Sequence, residues 1–302
     1  MRLTHSRAVL WMVLVTLMWS LAGVVSRHLE AARSFEVTFW RSAFNALALA
    51  LALGLIRRRA LWADLRRGGW PLWVSGWCWA VMYTNFMVAL TLTTVATVLV
   101  TMSIAPMVTA LFARVLLGHR LPLRTWLAML VAGLGIAWMF GQQAMQSQGS
   151  MLGALVALGV PIAGAINWTL LQHLHQRRAQ VADQAPSDML PAVLLGALIS
   201  AAVTGPLAWP FSATTHDLSW LAFLGVAQLA IPCLIAVRLT RVLSGPEISL
   251  LGLLEVIFGV LLAWLGAGEA PSPFALQGGA LVMLALAANE WLGLRERRPQ
   301  PG

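Results

Sequence analysis

The sequence predicts an all-α integral membrane protein, with ten transmembrane helices arranged as two inverted five-helix repeats. Three observations lead there. The chain has 302 residues, 59% hydrophobic and only 10% charged, with a mean hydropathy of +0.78. A water-facing domain carries about 25% charged residues, so lipid is the expected solvent. Apolar runs long enough to cross about 30 Å of hydrocarbon recur along the whole chain, and the two halves share landmarks 150 residues apart.

The spans read in order are Ala8–Val25, Phe35–Ile56, Pro71–Leu92, Val95–Leu117, Pro122–Phe140, Ser150–Leu171, Leu190–Trp209, Trp220–Leu239, Pro246–Leu265 and Pro273–Leu292. Helices are expected because they satisfy their own backbone hydrogen bonds in lipid. Pro71, Pro122, Pro246 and Pro273 open spans at a first turn, where a missing N–H costs nothing. The breaks Leu92–Val95 and Leu239–Pro246 are short enough to make tight antiparallel hairpins. Arg2, His5 and Arg7 before the first run resemble a secretory signal, but the run is long enough to span and similar runs follow. It is read as an uncleaved first helix.

All 20 basic residues are Arg. With the N-terminus in the cytoplasm, every Arg except Arg27, Arg33 and Arg41 falls on the inner side, so both termini are expected to be cytoplasmic, in a bacterial inner membrane. Trp62, Trp70, Trp73, Trp126 and Trp291 then sit at inner interfaces, and Trp138, Trp209 and Trp220 at outer ones. The net charge of +9 is explained by this clustering, so nucleic acid is not an expected partner.

At an offset of 150, Ala105-Pro106 falls on Glu255-Val256 and Gly118-His119 on Gly268-Glu269, with Pro122 close to Pro271 and Pro273. Five spans per half is an odd number, so the second half enters the membrane upside down. Residues 1–145 and 146–302 are the expected repeats. Inverted repeats are a transporter architecture with the substrate site near the midplane.

Trp19-Ser20, Arg27 and Phe39-Trp40-Arg41 are similar to the first two spans of EamA-type members of the drug/metabolite transporter superfamily. So are Ala105-Pro106 before Gly118, and Leu253-Leu254-Glu255 before Gly268-Glu269. The resemblance covers Ala8 to Glu290. It implies secondary transport, with export as the direction, and leaves a homodimer open. Two departures stand out: His119 where the family often has Glu, and Val256 where Pro usually follows Glu, which is expected to remove a kink from the ninth span.

Covalent chemistry is not expected. Asp64, Asp183, Asp188 and Asp217 fall in predicted loops, and the histidines in loops or at span ends. His173 and His175 point to different helix faces with no third ligand near. No phosphate loop, nucleophile elbow or metalloprotease motif occurs, and no cofactor is implied. Cys78 and Cys233 read as small core residues. A membrane-embedded transferase would need interfacial acid, His or Cys clusters that are missing. A non-transporting sensor is the other class to separate by experiment.

The intramembrane ions carry the most information, because a charge in hydrocarbon costs about 2.5 kcal/mol or more. Arg41 lies roughly 9 Å below the outer surface, counting about 1.5 Å per residue from Phe35. It either snorkels outward or faces the bundle interior, with Asn45 one turn below on the same face. Glu255 is the deepest acid and the proton-coupling candidate, and Glu247 suits a helix N-terminus. Trp19, Ser20, Trp79, Tyr83, Asn85, Ser103, Asn167, Trp168 and Gln228 complete the candidate substrate path. Together they suggest a mostly apolar pocket with a few amide and hydroxyl groups. That suits an amino acid, a related metabolite or an amphipathic drug. The expected partners are thus a small solute, the bilayer and a coupling proton.

Overall fold

The protein is described by a computed structural model covering residues 4–25, 28–32, 34–57, 59–146, 150–180, 189–267 and 272–296. The landmarks Arg2, Arg27, Arg33, Asp183, Asp188 and Gly268-Glu269 lie outside these residues. Among the described residues every regular element is helical. Nine helical stretches are long and apolar enough to cross a membrane, so this is an integral membrane protein. The remaining predicted span, Pro71–Leu92, falls in a 24-residue helix without charge, Gly69–Leu92. Trp70, Trp73, Trp77, Trp79, Tyr83 and Asn85 leave it less apolar than the other nine.

The first span is two helices, α1 (His5–Trp19) and α2 (Leu21–Val25), joined at Ser20. Thr16 and Ser20 hydroxyls donate back to the carbonyls of Val13 and Leu17 at 2.8 and 2.7 Å, which bends a helix. Next come α3 (Ser34–Arg57), α4 (Arg59–Arg67) and α5 (Gly69–Leu92). Asp64 falls in a predicted loop, but the segment is helical. It is a short helix that buries Leu61, and its Asp64 accepts from Arg57 at 2.6 Å.

The fourth span is interrupted between α6 (Val95–Met102) and α7 (Ala105–Leu117). Ser103 Oγ donates to Val100 O at 2.7 Å, and Pro106 brings no N–H to the first turn of α7. α8 (Leu123–Gln146) and α9 (Met151–Gln180) follow. Both outrun the predicted spans. Residues 142–146 of the predicted outer loop are helix, and His173 and His175 lie within α9 rather than beyond a span. Gln172 and His175 reach Gly245 N–H and Thr240 Oγ1, so the helix continues after its apolar run ends.

After α10 (Leu190–Ala208) the eighth span changes pitch: α11 (Thr215–Phe223), a π-helical stretch Leu224–Ala230, then α12 (Ile231–Leu239). Pro232 cannot donate to the carbonyl of Gln228, and the wider π turn absorbs that loss. The ninth span is α13 (Gly245–Gly252) and α14 (Leu254–Ala267), and α15 (Pro273–Glu296) closes the chain. Val256 was expected to leave the ninth span unkinked. The interruption is present without proline: Leu253 N–H donates to Leu250 O and Val256 N–H to Leu253 O, both at 3.2 Å, tightening the chain to i→i+3 spacing.

Two caps sit 150 residues apart. Thr94 caps α6 by accepting from Thr97 N–H, and Ser244 caps α13 by accepting from Glu247 N–H, which completes a capping box. The breaks at Ser103–Ile104 and at Leu253 follow at the same distance after each cap. Elsewhere small residues let backbones meet. A side chain at Gly135 would come 2.8 Å from the carbonyl of Gly278, joining α8 to α15, and one at Gly225 would come 2.8 Å from Arg41 O and Asn45 N on α3.

The end of the bundle away from His5 and Glu296, here called the distal end, is pinned by two carboxylates. Asp217 accepts from the N–H groups of Glu30, Ala31, Ala32 and Thr214 at 2.7–3.2 Å. Glu36 accepts from Ser212 N, Ala213 N and Ser212 Oγ at 2.8–3.1 Å. Asp217 is thus a structural clasp at the start of α11, where the sequence reading had a loop acid. Both residues are buried, and their bonds tie the loop before α3 to the loop before α11.

Candidate substrate-binding site

Two interrupted helices and one π turn meet at mid-depth around a cavity of ≈ 180 Å³. The broken ends supply Ser103 and Ala105 from the α6–α7 joint, and Gly252, Leu253 and Glu255 from the α13–α14 joint. The π turn supplies Gln228, α3 supplies Arg41, and α12 supplies Cys233. Trp19, Trp79, Tyr83, Phe86 and Trp168 form aromatic walls, with Trp79 meeting Trp168 edge-on at 5.5 Å between ring centroids. Toward the distal end the cavity widens into a vestibule of ≈ 650 Å³, reached by Ser20, Gln143 and Ser272.

Arg41 is 2% exposed, so it does not snorkel. One guanidinium N–H donates to Tyr83 O at 3.2 Å, while Nε has no hydrogen-bond partner among the described residues. Trp79 Nε1 and Gln228 Oε1 on the cavity wall are likewise without partners among the described residues; the Gln228 amide nitrogen donates to Trp19 O at 3.2 Å. Glu255 is half-buried and lines both the cavity and the vestibule, as Arg41 does. Among the described residues no ion pair joins the two within 4.0 Å. The break at Leu253 puts Glu255 in the first turn of α14, where free N–H groups complement a carboxylate.

Of the sequence candidates, Trp19, Arg41, Trp79, Tyr83, Ser103, Trp168, Gln228 and Glu255 line the central cavity, and Ser20 lines the vestibule. Three candidates stand behind the wall. Asn167 accepts from Ser75 Oγ at 2.6 Å, binding α9 to α5. Asn85 Nδ2 donates to Val156 O at 3.1 Å across the same pair of helices. Asn45 is fully buried against the backbone at Gly225. Polar residues in a span serve packing as readily as binding. Cys233 is buried in the core, as the sequence predicts, and also lines the cavity wall. Its place depends on the π turn, which rotates α12 and which helical periodicity alone does not reveal.

The opposite, proximal end is closed beneath the cavity. Gly245 N–H donates to Gln172 Oε1 at 3.0 Å, and the hydroxyls of Thr109 and Ser249 are 2.8 Å apart. His5 Nε2 and Glu247 Oε1 lie 3.3 Å apart, and His175 Nε2 and Thr240 Oγ1 3.0 Å.

One solved crystal structure, whose title names no activity, superposes at a TM-score of 0.74 over 97% of this chain and 99% of its own, at 21% sequence identity. No curated protein matches the chain. The model of the EamA-like transporter family matches residues 6–141, from α1 through most of α8. Over those residues, fewer than half of the 302, the chain is similar to the EamA-like transporter family, part of the drug/metabolite transporter superfamily.

Proposed function

We propose that this protein is a secondary exporter of small organic solutes, amino acids or related metabolites, working by alternating access between inverted repeats 1–145 and 146–302. The matched caps and matched helix breaks 150 residues apart support the ten-helix repeat. Discontinuous helices whose broken ends reach a midplane cavity are the form substrate sites take in inverted-repeat transporters. Cytoplasmic termini rest on the arginine distribution, and export rests on the family likeness alone. The distal vestibule is then the outer one.

The observation that carries the substrate reading is the pair Arg41 and Glu255. Both line one small cavity, with no ion pair between them within 4.0 Å among the described residues. An unpaired buried guanidinium is costly and is relieved by a carboxylate; an acid across the cavity accepts from an ammonium. A solute carrying both groups fits between them, with the aromatic walls around its apolar part. Glu255 is the proton-coupling candidate, with Arg41, Tyr83 and Cys233 on the same wall.

The aromatic wall favours a second reading, efflux of amphipathic compounds. Proteoliposome counterflow separates the two. Labelled neutral amino acids, their amino alcohols and their N-acetyl derivatives test each charge in turn, beside a cationic dye. Uptake of the zwitterions alone is the expected result. Preference for the dye would replace the metabolite reading with drug efflux.

A further inference from the structure

The proximal closure and the distal vestibule are related residue by residue through the 150-residue repeat. The cap pair Thr94 and Ser244 fixes the correspondence. The proximal end is sealed by Gln172 against Gly245 and by Thr109 against Ser249. Moved by 150 residues, Gln172 becomes Ala22, Gly245 becomes Val95, Ser249 becomes Leu99 and Thr109 becomes Gly259. All four counterparts line the vestibule. Val95 is 58% exposed, and a side chain added at Gly259 would meet nothing within 4 Å. The pairs made at one end are therefore unmade at the other.

We infer that the outer gate of the inward-open state forms when Leu99 seats on Gly259 and Val95 closes against Ala22, as Thr109–Ser249 and Gln172–Gly245 part. The inference rests on the inverted-repeat reading proposed above. Two equivalent halves can exchange their conformations, so contacts made by one half at the proximal end are available to the other at the distal end. The chemistry of the two seals differs. The proximal seal is hydrogen-bonded, whereas the distal one is two apolar contacts. Gly259 supplies a hole that Leu99 fills: a Cβ there meets nothing within 4 Å in this outward-open form, and a larger residue is expected to block closure.

The test uses the full chain in proteoliposomes. Gly259→Leu is expected to insert and fold like the wild type while losing transport; wild-type transport by this variant overturns the gate. Leu99→Cys with Gly259→Cys, and separately Thr109→Cys with Ser249→Cys, are oxidised to disulfides and read as linked peptides by mass spectrometry, so native Cys78 and Cys233 remain. Each pair is expected to cross-link, and a four-cysteine variant is expected to carry one link or the other in any molecule, never both. Both links in one molecule, or no Leu99–Gly259 link in a preparation whose wild type transports, overturns the inference. Cross-linking needs no substrate. Exclusive links with no flux of any tested solute would uphold the gate and refute the metabolite assignment.

Discussion

Arg41 and Glu255 show how burial decides meaning at the scale of one residue. An arginine one or two turns inside a span can reach back to the interface, and many do. Arg41 instead lies 2% exposed against Tyr83 O, with Nε free on a cavity wall. Hydrogen bonds to a charged group contribute about 1.5–3 kcal/mol, so Arg41→Ala is expected to lower flux of a carboxylate solute about 10- to 100-fold with the folded protein retained. Flux and detergent gel filtration of the same preparation check this; normal flux assigns Arg41 to structure. Glu255→Gln keeps the shape and half the hydrogen bonding of the acid. It is expected to transport with a flattened pH profile, measured as flux against external pH. A profile identical to the wild type would remove Glu255 from proton coupling.

At the scale of elements, hydroxyls, a proline and a π turn set the shape of the spans. The fourth and ninth spans break at matched places with a matched i→i+3 bond, Ser103 N–H to Val100 O and Leu253 N–H to Leu250 O, and only the fourth adds a proline, Pro106. Helix pairs depend on backbone approach at glycines. Gly278→Leu would push a side chain into the Gly135 carbonyl and Met139 on α8. Overpacking costs about 1–3 kcal/mol, so the variant is expected to lower the thermal midpoint of the purified protein. Gly259→Leu, the same substitution in open space, is expected to leave that midpoint unchanged. Measuring both in one thermal series checks the close approach directly.

The whole molecule is open at one end and closed at the other. The vestibule is the wider space, and hydrogen bonds from α9 and α7 to α13 seal the floor. Which end faces the cytoplasm is a question of topology. A reporter active only in the cytoplasm is expected to be active when fused after Gly302 and silent when inserted within residues 147–149, between α8 and α9. Equal activity at the two sites would remove the ten-span reading.

Composition and spacing alone determined that the chain is helical and lipid-embedded, because the cost of burying charge and unpaired backbone in hydrocarbon leaves few alternatives. They also determined nearly all the spans and the 150-residue repeat landmarks, and singled out Arg41 and Glu255 as ions within spans. These are properties of one residue or one segment in one solvent. Burial in the structure decided that Arg41 faces inward. Only the tertiary structure decided which polar side chains face the cavity. Asn85 and Asn167 look as eligible in sequence as Gln228, yet they bind helix to helix, and Asn45 is buried against the backbone at Gly225, while Gln228 and Cys233 line the wall. That choice turns on the azimuth of each helix. The π turn, the break at Leu253 and the polar extension of α9 reset it by local hydrogen bonding and by packing against partners far away in the chain, and apolar periodicity carries neither signal.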